Sequence, residues 1–300
     1  FFGLASLVGT IFWPMVLGAV TFGIGNGFCS ICINILLAEV APAIHRRQLF
    51  SGMHAMYGLA SLCAPLVATL FGPKLWPYAF LLSTAPALIF LMIALSSLPS
   101  QNNSATTPSQ LRSKTTLPFL TGLFYPGAML AFYVCAEVLL ATRLSQYLEQ
   151  ALQWNYHKAA AYNFYFFMCL TAGRLLTALL PIKLHNPTML LISLITSTTC
   201  FILGFRYPGA FLMTGFCMSY FFPLTMDTVT ERFKECAPAY IAKSIIIGGI
   251  FLSCMHYLVG TATDYWGITV ALMPGPVFLI LALVILLEKW KSGKVPRSVV

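Results

Sequence analysis

Charge is what this sequence lacks most. Asp and Glu number 8 in 300 residues, and charged residues of all kinds make up 8% of the chain, where soluble domains carry about 25%. Polar stretches are equally scarce; the one long segment of low hydrophobicity is LPSQNNSATTPSQLRSK, residues 98–114. With 59% hydrophobic residues, the chain holds more apolar surface than a soluble core of this size could hide. The apolar runs do not alternate with period two, which excludes strands of a membrane barrel. A bilayer then leaves only helices, because each backbone polar group must be satisfied within its own segment.

The usual signatures of enzymes are missing too. No phosphate loop, dinucleotide fingerprint, zinc spacing or kinase set occurs, and the five histidines are scattered. The nine cysteines stand mostly alone in apolar runs. Cys29 and Cys32 have redox-motif spacing but fall within an expected span, so packing is the reading. No catalytic residues, cofactor or metal is expected. The formal net charge of +9 sits in short loops, where it reports topology rather than nucleic-acid binding.

What is present is a series of apolar runs between polar breaks. They predict spans at 1–12, 15–38, 49–72, 76–98, 117–142, 159–181, 187–205, 208–230, 241–262 and 267–287, since a span needs roughly 20 apolar residues. The linker divides four spans from six. Its side of the membrane collects Arg46, Arg47, Arg112, Lys114, Lys183, Arg232, Lys234, Lys243, Lys289, Lys291, Lys294 and Arg297. The opposite side has Lys74, Arg143, Lys158 and Arg206, and Arg174 lies within a span. The imbalance makes the linker and C-terminus cytoplasmic.

A weak repeat runs through the chain. EVAPAIHRR at 39–47 is echoed by ECAPAYIAK at 235–243, and the same offset sets Gly52 on Gly248. Similar halves in parallel orientation are a transporter signature. The expected organisation is an N-terminal half with four spans (1–98), a linker (99–116), a six-span half (117–288) and a tail (289–300). The chain begins FFGLASLVGTIFWP, already inside an apolar run, so further sequence is expected upstream.

Several stretches resemble the major facilitator superfamily. GIGNGFCSICINILLAEVAPAIHRR (23–47) looks like its fourth helix and cytoplasmic exit, and SGMHAMYGLASLCAPL (51–66) like its fifth, with Gly58 and Pro65 from an antiporter-type motif. YVCAEVLLATRLSQYL (133–148) and AAAYNFYFFMCLTAGRLL (159–176) are similar to the seventh and eighth helices of fucose permease-like sugar:proton symporters. Arg143 stands where that seventh helix usually has tryptophan, and Ser30 where the fourth often has glutamate. The resemblance covers essentially the whole chain, as family helices three to twelve. It implies an all-α polytopic membrane protein with ten of twelve helices, moving a small solute by alternating access.

Glu137 is the residue that most needs a reason. An acid in hydrocarbon costs roughly 2.5–3.5 kcal/mol on insertion scales, so it must face a cavity, hold a partner or carry a proton. It lies late in its expected span, in the outer half, and is read as a ligand for substrate hydroxyls or a proton. Tyr133 lies one turn earlier. Tyr125, Pro126 and Gly127 loosen the start of the same span. Asn26 and Asn34 lie on similar faces of one helix, about 80° apart, and amides both donate to and accept from hydroxyls. Asn163, Tyr162 and Tyr165, and then Tyr220, Phe221 and Phe222, offer the amide and aromatic surfaces that suit a sugar ring. Gly23, Gly25 and Gly27 are read as permitting close packing. His54 matches a histidine common in the resembled sugar porters and joins Glu137 as a proton-coupling candidate. The charges near the cytoplasmic ends of spans, Arg174, Asp227, Glu231 and Glu39, correspond to a latch in the resembled superfamily, with Arg174 expected to pair with Asp227 or Glu231.

The expected function is therefore secondary transport of a small polar solute, a sugar, coupled to protons. The setting is a bacterial inner membrane and the working unit a monomer. Export of a drug or metabolite, and a non-transporting sensor or scaffold, are the alternatives.

Overall fold

The computed structural model describes residues 12–97, 126–182 and 184–291. These are helical almost throughout: α1 (Phe12–Val40), α2 (Arg46–Ser97), α3 (Gly127–Gln150), α4 (Tyr156–Leu179), α5 (Asn186–Gly204), α6 (Gly209–Met218), α7 (Phe221–Phe233), a 3-10 turn (Lys234–Cys236), α8 (Ala237–Leu272) and α9 (Pro274–Lys291). Stretches Phe12–Val40, Pro77–Ser96, Gly127–Gln150 and Asn186–Gly204 are each long and apolar enough to cross a bilayer. The linker 99–116, Tyr125, Lys183 and the tail beyond 291 lie outside the described residues.

Two compact units result. One comprises, among the described residues, 12–28 with 63–97; the other comprises 29–62 with 126–182 and 184–291. The second holds the buried core, including Leu139, Leu144, Phe166, Phe201 and Phe211. Its outward surface is apolar as lipid requires, with Ile195, Ile202 and Val284 exposed. Phe211 meets Phe201 edge to face at 5.6 Å and Tyr147 at 5.7 Å.

Local sequence sets the helix limits. Asn155 caps α4, its side-chain oxygen accepting from the Lys158 amide at 2.8 Å. Pro187 opens α5 and Pro238 opens α8 near the first turn, where a missing N–H is harmless. Gly267, at φ +81°, turns the chain near the end of α8. The expected spans 49–72 and 76–98 lie in one helical run, α2. Its prolines each delete one backbone bond without ending the helix.

Two expectations about the spans are corrected. The helix expected to end at 142 runs on to Gln150, and among the described residues Glu137 sits near the middle of α3. Polar residues past 142 stay helical because they bond locally: Thr142 donates to Val138 O at 2.7 Å and Arg143 to Gln146 Oε1 at 3.0 Å. The span expected at 208–230 is broken at Ser219–Tyr220 into α6 and α7. The cause is Pro223, which has no N–H for the Ser219 carbonyl and whose ring crowds it.

Glycine decides how closely α4 reaches that break. A Cβ on Gly173 would lie 2.7 Å from Ser219 Cβ and 3.1 Å from Phe216 O. By contrast, a Cβ at Gly23, Gly25 or Gly27 meets nothing within 4 Å. The close packing expected there is absent among the described residues.

Gly173→Val should therefore lower the thermal midpoint in detergent, by an overpacking cost of about 1–3 kcal/mol. Gly209→Val, at an exposed position where a Cβ meets open space, is the control. Equal midpoints for the two variants would contradict the close approach.

Candidate functional site

Breaking a helix in an apolar interior frees backbone carbonyls that must find donors. Those of Met218 and Ser219 find them in side chains. The Tyr133 hydroxyl lies 2.6 Å from Met218 O, and its ring stacks on Phe221 at 4.2 Å between centroids. Arg174 donates from Nε to Ser219 O at 3.2 Å. Its position follows from Gly173, which brings α4 against the break.

Glu137 ties both donors together. Its Oε2 contacts the Tyr133 hydroxyl one turn earlier on α3. Its Oε1 accepts from Arg174 at 2.9 Å. The arginine side chain is 3% exposed and the glutamate 16%, so the pair is held largely within protein. Arg174 also points a terminal nitrogen at the His54 carbonyl on α2, at 3.5 Å, the edge of hydrogen-bond reach. The His54 ring packs on Phe222 at 4.5 Å, and its Nε2 is buried with no partner.

Arg174 therefore does not pair with Asp227 or Glu231 as the sequence led us to expect. Asp227 has its own partners. Arg46 donates to its Oδ1 at 2.6 Å and Asn186 to its Oδ2 at 2.7 Å. The adjacent Arg47 donates to Ile182 O at 2.8 Å. Glu231 and Glu39 are exposed and join no ion pair among the described residues. Arg46, Arg47 and Asn186 were thus missed as site residues. The available signal was Asp227 itself, an acid near the end of an apolar run that needed a cation at its own depth.

The helix carrying these arginines packs antiparallel on α4. A Cβ built on Gly52 would lie 3.8 Å from Ala178 Cβ, and one on Gly58 would collide with the Thr171 hydroxyl. Phe50, Ser51 and Ala55 are fully buried on the same stretch.

The remaining residues are spread out. Tyr133 is wholly buried and its hydroxyl is committed to Glu137 and Met218, so it supports the acid rather than facing solvent. Tyr220 sits half-buried at the helix break. Tyr162 meets Trp154 edge to face at 4.7 Å, and Lys158 caps the Trp154 ring at 3.8 Å. Asn163 Oδ1 is buried without a partner. Asn34 is buried, donating to Ser30 O at 2.8 Å, with its Oδ1 unpaired. Asn26 is exposed and belongs to the first compact unit. No group of three or more potential metal ligands occurs among the described residues.

A sequence model of the Major Facilitator Superfamily matches residues 1–242. The chain belongs to that superfamily, a family of transporters and not of enzymes. Its fold is shared with the transporter FucP in the outward conformation: TM-score 0.65, 15% identity, 96% of this chain and 78% of that one. A bacterial homologue of the iron transporter ferroportin in its outward-facing state gives TM-score 0.65, 14% identity, 97% of this chain and 77% of that one. The rice (Oryza sativa subsp. japonica) "Sugar transport protein MST6" is 35% identical over 94 residues. That match takes in 30% of this chain and only 18% of the rice protein.

The Arg46–Asp227 pair is 13% and 8% exposed, so removing one partner strands a largely buried charge. Arg46→Met or Asp227→Leu alone should each destabilise the protein by about 2–4 kcal/mol, while the double variant recovers most of the loss. Additive losses in such a thermal-stability cycle would show that the two side chains do not depend on each other.

Proposed function

We propose that this chain serves a secondary transporter moving a small polar solute, a sugar, together with a proton by alternating access. The observation that carries the reading is a count of protons around Tyr133. Its hydroxyl has one hydrogen and two acceptors in contact, Glu137 Oε2 and the Met218 carbonyl. With Glu137 ionised, one of those contacts has no proton. A proton on Glu137 would fill that contact, and would at the same time leave Arg174 without its counter-charge. The network thus has room for one more proton, at the acid that is also its most exposed member.

The sugar assignment rests on weaker support. It comes from the resemblance of 133–148 and 159–176 to fucose permease-like helices, and from the printed names of two relatives, FucP and the rice sugar transport protein. Asn163, Tyr162 and Tyr220 are the amide and aromatic groups we assign to solute hydroxyls and ring faces. Arg46, Asp227 and Asn186, with Arg47 on the Ile182 carbonyl, act as the cytoplasmic latch in place of Arg174. The distribution of lysine and arginine supports a cytoplasmic linker and C-terminus. A bacterial inner membrane and a monomeric working unit complete the reading.

The test is uptake by proteoliposomes holding the complete gene product, with an inward proton gradient, a panel of labelled sugars and Glu137→Gln in parallel. Gradient-dependent uptake of one sugar, abolished in the variant, is expected. A folded protein that takes up no sugar would refute the substrate, and unaltered uptake by Glu137→Gln would refute the acid's role.

A further inference from the structure

The deepest charge in the second unit is Arg174, and its contacts reach further than ion pairing requires. On α4, it bonds the acid of α3, the freed carbonyl at the α6–α7 break and the His54 carbonyl of α2. The α2 contact falls between two places where α2 and α4 come close, Gly52 on Ala178 and Gly58 on Thr171. We infer that Arg174 is a positioning residue through which the charge of Glu137 holds this glycine seam closed. The inference rests on the reading of Glu137 as the coupling acid and adds how its charge is felt elsewhere.

The physical reason is the fate of a guanidinium that loses its carboxylate. Arginine keeps its charge in any protein environment. In the closed seam its side chain is 3% exposed, and without Glu137 two carbonyls are all that remain to it. A buried, uncompensated charge favours whatever state brings it water. The His54 carbonyl shows that α2 lies directly against the guanidinium, so parting α2 from α4 hydrates it. The contact to His54 is also the longest of the three, the one most readily released. Among the described residues, the charged and titratable groups that this network contacts are Tyr133 on the helix of Glu137, Arg174 from α4 and, through Arg174, His54 from α2; the α6–α7 break meets it through backbone carbonyls, with Tyr220 beside them. A neutral side chain at 137 should therefore open the seam, and a charged one close it.

The seam offers its own gauge. A separation of 3.8 Å between Cβ positions at 52 and 178 matches the usual disulfide spacing of about 3.8 Å. Gly52→Cys with Ala178→Cys should crosslink readily under copper–phenanthroline, with the 52–178 disulfide quantified by mass spectrometry against the native cysteines. Adding Glu137→Gln, which keeps shape and removes charge, should slow that crosslink by about fivefold or more, the low end of ordinary coupling between sites. Arg174→Lys should slow it similarly, because one ammonium cannot reach Glu137, Ser219 O and His54 O together. The thermal midpoint of each variant separates seam opening from general loosening, which a merely structural role would produce. If Glu137→Gln does not fold, Arg174→Lys decides. Crosslinking at the parent rate in the folded variants overturns the inference, as does slowing that only tracks a fall in midpoint. Either result leaves the uptake experiment to judge the transport reading separately.

Discussion

A backbone carbonyl without a donor is hard to keep inside an apolar protein, and Pro223 creates one at Ser219. Much of the second unit can be understood as the answer to it. Arg174 supplies the donor, Gly173 lets its helix come near enough, and Glu137 neutralises the charge so brought in. Tyr133 then serves the neighbouring Met218 carbonyl and the same acid. Changing the proline to a residue with an N–H would remove the need for the rest. The break is therefore the constraint and the ion pair its consequence, although the ion pair is what a reader of the sequence notices.

The same economy governs the rim. Asp227, on α7 just beyond the break, is met by Arg46 from α2 and Asn186 from the start of α5, so both carboxylate oxygens are engaged. Between the rim and the deeper pair, contact is made by small residues. Lipid offers no hydrophobic drive for helices to associate, so close approach at Gly52, Gly58 and Gly173 matters more than it would in water. The Arg46–Asp227 pair joins α2 to α7 and the Glu137–Arg174 pair joins α3 to α4, while Gly52 and Gly58 set how closely α2 and α4 approach between them.

The sequence was a good guide to medium, helix content and family, because those depend on sums over many residues. Apolar runs of span length and the bias of lysine and arginine survive errors at any one position. Pairing does not, and the partner of Arg174 was misread for a geometric reason. Hydropathy placed Glu137 in the outer half of a span and Arg174 near the cytoplasmic end of the next. Side chains on a helix lean toward its N-terminus. On α3 and α4, joined by the short turn 151–155, those directions are opposite, so the two side chains lean toward each other and close the gap. The broken helix was legible in Pro223, but only if its effect on the carbonyl four residues earlier was followed through. At Gly23, Gly25 and Gly27 no described residue comes within 4 Å of an added Cβ. Glycines in a membrane helix allow close packing without requiring it, and nothing in a single sequence says which ones are used.

Coupling a proton to a change of shape requires that the proton's arrival make one arrangement untenable. An acid alone in an apolar path does this poorly, since protonation removes a charge and so relieves the closed state. An acid paired with arginine reverses the sign. On the proposed reading, protonating Glu137 would leave a cation that cannot be neutralised in place, and the closed seam would be the state that suffers. Loss of the proton restores a neutral pair and with it the reason to close. Under the transport function proposed for this chain, the pairing that first looked like a structural accommodation to a broken helix would also be the arrangement by which a single proton favours opening, and its departure closure.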